Sequence, residues 1–154
     1  AGTAGPGEGG GGGGGAAGGA AARLSWDTRT VGDGTRELRA RARDLVGNVG
    51  SSEPRTVVVD NTRPTTLVLA PATARGGQRL TVGVASLDAV GTAATFVALD
   101  DRVVGGFVGN GSRVLAVALP ASGRHRLLAA SIDTAGNLAF SNVVWVDVRR
   151  TRRR

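Results

Sequence analysis

The chain has 154 residues, 26 of them glycine and none of them cysteine, and it carries 19 basic against 12 acidic side chains for a net charge of +7. Without cysteine there is no disulfide framework, no thiolate metal site and no thiol nucleophile, and no stretch approaches the roughly 18 apolar residues of a membrane helix. Every basic residue is arginine and five of them lie in Arg149 to Arg154, so the charge is only +2 without that tail. We take the arginine bias, with the wealth of Ala and Gly, as the coding habit of a high-GC genome rather than as a binding signal.

Residues 1–21 form a Gly/Ala-rich segment that is expected to be flexible, because glycine loses the most backbone entropy on ordering and offers no side chain to pack. No charged-then-apolar signal opens the chain, and a start at Ala1 with no methionine anywhere reads as part of something longer. From Leu24 onward the pattern changes to short alternating segments divided by Gly, Asn, Asp and Pro, which predicts an all-β fold without helices. Residues 22–63 hold three strands, beginning near Ala22. Residues 64–148 hold seven, over Thr65–Ala70, Gln78–Ser86, Ala94–Asp100, Arg102–Val108, Ser112–Leu119, Arg124–Asp133 and Asn142–Val148. Residues 149–154 are an arginine-rich tail. Alternation places Leu80, Val82, Phe96, Leu115, Val117, Leu127, Ala129, Val146 and Val148 in the core of that second unit.

Laid on itself with an offset of 89 residues, the chain repeats. Gly34, Leu38, Ala40, Asp44, Gly47, Asn48, Ser52, Val57 and Val59 fall on Gly123, Leu127, Ala129, Asp133, Gly136, Asn137, Ser141, Val146 and Val148. The matches describe a β-hairpin: Leu-x-Ala is the inward face of one strand, Asp-x-x-Gly-Asn the turn, and Val-x-Val the inward face of the returning strand. The first copy has only the closing strands of its unit, and Trp26, which falls on Leu115, is expected in its core.

Seven short strands suit an immunoglobulin-like β-sandwich. The segments Ser25-Trp26-Asp27-Thr28, Val31-Gly32-Asp33-Gly34-Thr35, Arg41 through Asn48 and Val57 through Pro64 resemble the closing half of a bacterial Ig-like domain. The second unit resembles that family over its length, with Thr95 to Asp100 as the central strand and Asp101 where the turn usually carries Gly. The resemblance implies tandem modules of a bacterial surface or secreted protein, partnered by neighbouring Ig-like modules or other domains of a longer chain.

Few residues offer chemistry. His125, the single histidine, has no Ser or Cys nucleophile in a triad order around it and reads as a solvent-facing surface residue, and Asp100-Asp101 reads as a turn rather than an acid/base pair. Asp44, Asp60 and Asp133 have two readings: side chains that close their own turns, or oxygen ligands for Ca2+, the one cofactor the sequence suggests. Trp145 alternates away from Val144, Val146 and Val148, so it packs against a neighbouring strand or module, or serves as a stacking platform for a cell-wall polysaccharide. Arg39, Arg41 and Arg43 share one strand face, and Arg149, Arg150, Arg152, Arg153 and Arg154 form a second basic cluster. Both suit polyanions, but without interleaved aromatics or a reading helix they argue against specific nucleic-acid recognition. The expected function is a non-catalytic extracellular spacer or adhesion-type repeat, with carbohydrate binding through Trp145 or polyanion binding as alternatives.

Overall fold

Alternating Val, Leu, Ala and Thr, punctuated by turn residues, form thirteen strands in the computed structural model, which describes residues 23–151. The Gly/Ala segment of 1–21 and the tail residues Arg152, Arg153 and Arg154 lie outside the described residues. The first copy contributes β1 (Gly34–Leu38), β2 (Arg41–Arg43), β3 (Val49–Ser51) and β4 (Arg55–Val59). The second unit contributes β5 (Thr65–Leu69), β6 (Thr73–Arg75), β7 (Arg79–Leu87), β8 (Thr92–Leu99), β9 (Arg102–Val108), β10 (Gly111–Ala118), β11 (Gly123–Asp133), β12 (Leu138–Phe140) and β13 (Val144–Arg149). Among the described residues no helix is long and apolar enough to cross a membrane.

The second unit is a two-layer sandwich. One sheet runs β10-β7-β5, the other β6-β13-β11-β8-β9 with β12 beside the far end of β11. Ladders are antiparallel except β6 with β13, which is parallel. Between the layers lie Val68, Leu80, Val82, Val84, Val117 and Leu119 from one side and Val97, Leu99, Leu127, Ala129, Val146 and Val148 from the other. The core is therefore valine-rich, as suits thin strands whose β-branched side chains fill a pleated surface.

The internal repeat extends to register. Gly34 pairs with Val59 as Gly123 pairs with Val148, Leu38 with Arg55 as Leu127 with Val144, and Ala42 with Gly50 as Ser131 with Ala139. The turns agree as well, with the amides of Asn48 and Asn137 each 2.8 Å from the preceding Asp carboxylate. Gly47 and Gly136 sit at φ +101° and +97°, a left-handed conformation that glycine adopts without steric strain.

Three expectations are corrected. Phe96 is 51 % exposed, because β8 turns Thr95, Val97 and Leu99 inward and Phe96 alternates outward. Leu115 is half-buried and packs on the edge of the core rather than within it. Trp26 is 41 % exposed, and the stretch expected to open the first copy holds no strand between Leu24 and Asp27, followed by a single 3-10 turn at Thr28–Thr30. Its counterpart β10 is held by β7, and among the described residues the first copy has nothing equivalent to β7.

Candidate functional site

The densest polar cluster lies where the first copy runs into the sandwich. Asp60 follows β4, Asp88 lies in the β7–β8 turn, and Asp133 ends β11, so three separate turns bring their carboxylates to the same end of the sandwich. One oxygen from each lies within 4.8 Å of the others. Asn137 ties the parts together: its amide nitrogen reaches the Asp60 carbonyl at 3.0 Å, the Thr62 carbonyl at 3.2 Å and the Asp133 carboxylate at 2.8 Å. Asp33 braces the linker from the other side, accepting the Asn61 amide at 2.7 Å and the Thr62 hydroxyl.

The three carboxylates are unequally satisfied. Burial works against charge on Asp133, but hydrogen bonds from Asn137 and the turn amides outweigh it and hold the carboxyl below its ordinary range. Asp88 accepts the amides of Val90 at 2.8 Å and Gly91 at 2.9 Å. Asp60 differs: its Oδ2 is buried without a hydrogen-bond partner among the described residues. Loss of solvation, then the charges of Asp88, Asp133 and Asp33, hold its carboxyl above the usual range against one opposing bond from the Thr62 amide.

Of the sequence candidates, Asp60 and Asp133 are thus brought together, while Asp44 is engaged in its own turn with the Val46 and Asn48 amides and the Asn48 side chain. Asp88 and the grip of Asn137 were not anticipated. The available signal was spacing, since Asp88-Ala89-Val90-Gly91 is a third Asp-x-x-Gly turn. Trp145 is 47 % exposed and the Arg124 guanidinium lies over its ring, 4.8 Å from the centroid. Arg39, Arg41 and Arg43 lie exposed along β1–β2, whereas Arg149 and Arg150 lie at the end of the sandwich away from the junction. The structure does not join these basic groups into one patch.

His125 is corrected from a solvent-facing position. Its side chain is 13 % exposed, with Nδ1 2.5 Å from Asp100 Oδ2, while Asp100 Oδ1 accepts the Arg126 amide at 2.8 Å. Asp100 and Asp101 form a two-residue turn at φ +49° and +70°, and Asp101 pairs with Arg126, so the strained turn is clamped onto β11. The Arg126 amide, then His125, hold the Asp100 carboxyl low, and Asp100 raises the His125 imidazole against the effect of burial. The raised imidazole contributes stability that is whole below its unfolded pKa of about 6.5 and lost as pH climbs through the folded value. The depressed carboxyl contributes stability present above about pH 3.9 and lost as pH falls through its folded value. Melting temperature should therefore peak between about pH 4 and 6.5, with His125→Gln flattening the alkaline decline. Thermal scans across pH check this, and an unaltered decline in the variant would exclude the pair as its cause.

With the geometry in place, comparison with known proteins adds the fold. No family model matches the sequence, and no curated protein matches it either. Among solved structures, the chain is similar to the PKD domain of an M14-like peptidase from Thermoplasmatales archaeon SCGC AB-540-F20, with 13% identity, a TM-score of 0.51, and 59% of this chain covering 100% of that one. The second unit is an immunoglobulin-like β-sandwich. A second similar structure is that of the fibronectin(III)-like modules of Clostridium thermocellum CbhA, at 13% identity and a TM-score of 0.48, covering 58% of this chain and 100% of that one. In this immunoglobulin-like module a largely apolar hollow on the outer face of β10-β7-β5 is lined by Leu67, Leu69, Gly83 and Val114, with Ser112 and Arg113 as its polar members.

Proposed function

We propose that the chain is a non-catalytic structural spacer of a bacterial surface or secreted protein, assembled from immunoglobulin-like modules joined head to tail. The observation that carries this reading is the grip of Asn137 on the linker together with the repeat of its turn in the first copy. Asn137 holds the linker carbonyls of Asp60 and Thr62, and Asn48 presents the same Asp-Asn turn at the corresponding end of the first copy, in the same register. A unit that displays at one end the socket it uses at the next joint suits a stack of modules. The bacterial Ig-like assignment and the extracellular setting rest on the sequence resemblance. Carbohydrate binding has less support because Arg124 covers the Trp145 ring, and polyanion binding because the arginine clusters stand apart.

A calcium-stiffened joint is the second reading, favoured by the unpartnered Oδ2 of Asp60 beside Asp88 and Asp133. One experiment on the full chain addresses both. Spin labels at Thr56→Cys and Thr81→Cys, in a protein with no cysteine of its own, report the distance across the joint. A narrow distance distribution that broadens in Asn137→Ala is expected; a broad one in the unaltered chain would defeat the spacer reading. In a parallel thermal scan, calcium at a hundredfold its dissociation constant should add about 2.7 kcal/mol relative to chelator. Superimposable scans at millimolar calcium would leave the three carboxylates as turn formers.

A further inference from the structure

The first copy displays a face that its twin buries. Leu38 is 42 % exposed where Leu127 is 0 %, and Ala40 is exposed where Ala129 is 0 %. In the second copy that surface is covered by the opposite sheet, and β8 lies along the neighbouring edge of β11 from Leu127 to Asp133. Among the described residues no strand occupies the equivalent edge of β1 and β2.

The backbone marks where such a strand belongs. β11 is bordered on one side by β13 at Gly123–Leu127, by Ser141 at Ala129 and by β12 at Ala130–Ile132, and on the other side by β8 from Leu127 to Asp133. In the first copy β4, Ser52 and β3 border the matching side, Ser52 holding both the amide and the carbonyl of Ala40, while the side that β8 takes on β11 has no strand among the described residues. Unpaired backbone groups in a row template another strand.

Charge decides which strand. The outer face of this edge carries Arg39, Arg41 and Arg43, where β11 carries Leu128, Ala130 and Ile132. Arg41 and Arg43 have no carboxylate within ion-pairing distance among the described residues, and Arg39 has only Glu37 at 3.7 Å. A second copy of the chain is a poor occupant, because antiparallel pairing about Arg41 sets Arg39 against Arg43 and Arg41 against itself, and like charges directly opposite destabilise a sheet. A strand with carboxylates at the positions of Ala94, Phe96 and Ala98 on β8 places each opposite an arginine.

We propose that the Leu38–Asp44 edge is a docking site for an antiparallel β-strand that alternates acidic residues, facing the arginines, with apolar residues, facing Leu38, Ala40 and Ala42. The strand adds to β1–β2 as β8 adds to β11, and the arginine stripe selects it.

The probe is an eight-residue peptide of the β8 sequence Thr92–Leu99 bearing Ala94→Glu, Phe96→Glu and Ala98→Glu, compared with the same peptide bearing Lys at those three positions. The full chain should bind the Glu peptide about tenfold more tightly than the Lys peptide, with slowed amide exchange confined to Leu38–Asp44. In the variant Arg39→Glu, Arg41→Glu, Arg43→Glu the preference should reverse. Equal binding of both peptides, binding of neither, protection elsewhere in the chain, or self-association through this edge in the unaltered protein would each overturn the proposal.

Discussion

Leu127→Ala should cost about 3 kcal/mol of stability, because the side chain is fully buried between the two sheets and its removal leaves a cavity in a core of short valines that cannot collapse to fill it. Leu38→Ala, at the same place in the repeat and in the same register, should cost under about 1 kcal/mol, because a side chain 42 % exposed surrenders little on truncation. The contrast is more informative than either value, since the register matches and what differs most is the cover that the opposing sheet and β8 give to Leu127. Phe96→Ala belongs with Leu38→Ala despite the larger side chain. Urea denaturation of the variants measures the difference, and equal losses at Leu127 and Leu38 would mean that the first copy has a closed core of its own.

Asp133→Ala is the second large effect. The carboxylate is 2 % exposed and accepts the amides of Ala135 and Asn137 and the side-chain amide of Asn137, so its loss leaves two backbone donors without partners in a site that water reaches poorly and leaves the Asn137 side chain with only the linker carbonyls. The expected loss is on the order of 3 kcal/mol, reduced somewhat by relief of repulsion from Asp60 and Asp88. Asp44→Ala removes the same turn bonds where water can replace them and should have a much smaller effect. Because Asp133 also orients Asn137, its removal should release the linker, seen as faster exchange of the Thr62 amide. Unchanged stability and exchange in Asp133→Ala would show that the joint is held by other groups.

The hairpin was legible in the sequence because its inward residues, its Asp-x-x-Gly-Asn turn and its register all recur, so each copy checks the other. β8 was harder to read: Ala94, Phe96 and Ala98 on one face and Val97 and Leu99 on the other leave no polar face to fix which side is inward, and the largest apolar residue drew the wrong choice. Trp26 shows another limit, since alternation announces a strand but only a neighbour to pair with makes one. The acidic cluster was half visible. Asp60 and Asp133 lie in marked turns, but Asp88 joins them only through the arrangement of three loops that no local pattern encodes.

The parallel pairing of β6 with β13 bears on how the module would respond to tension. A pull transmitted along a chain of modules enters at Thr65 and leaves at Arg149, the two ends of the sandwich. Both β5 against β7 and β6 against β13 are then loaded along their lengths, so the bonds of each ladder, including Asp147 to Ala72 and Gly76 to Arg149, resist by shear and fail together rather than one at a time. The antiparallel β1–β4 ladder of the first copy instead holds Gly34 beside Val59 at one end, with no parallel partner strand among the described residues. Under load it would peel from one end, making the open copy the first part of the chain to extend.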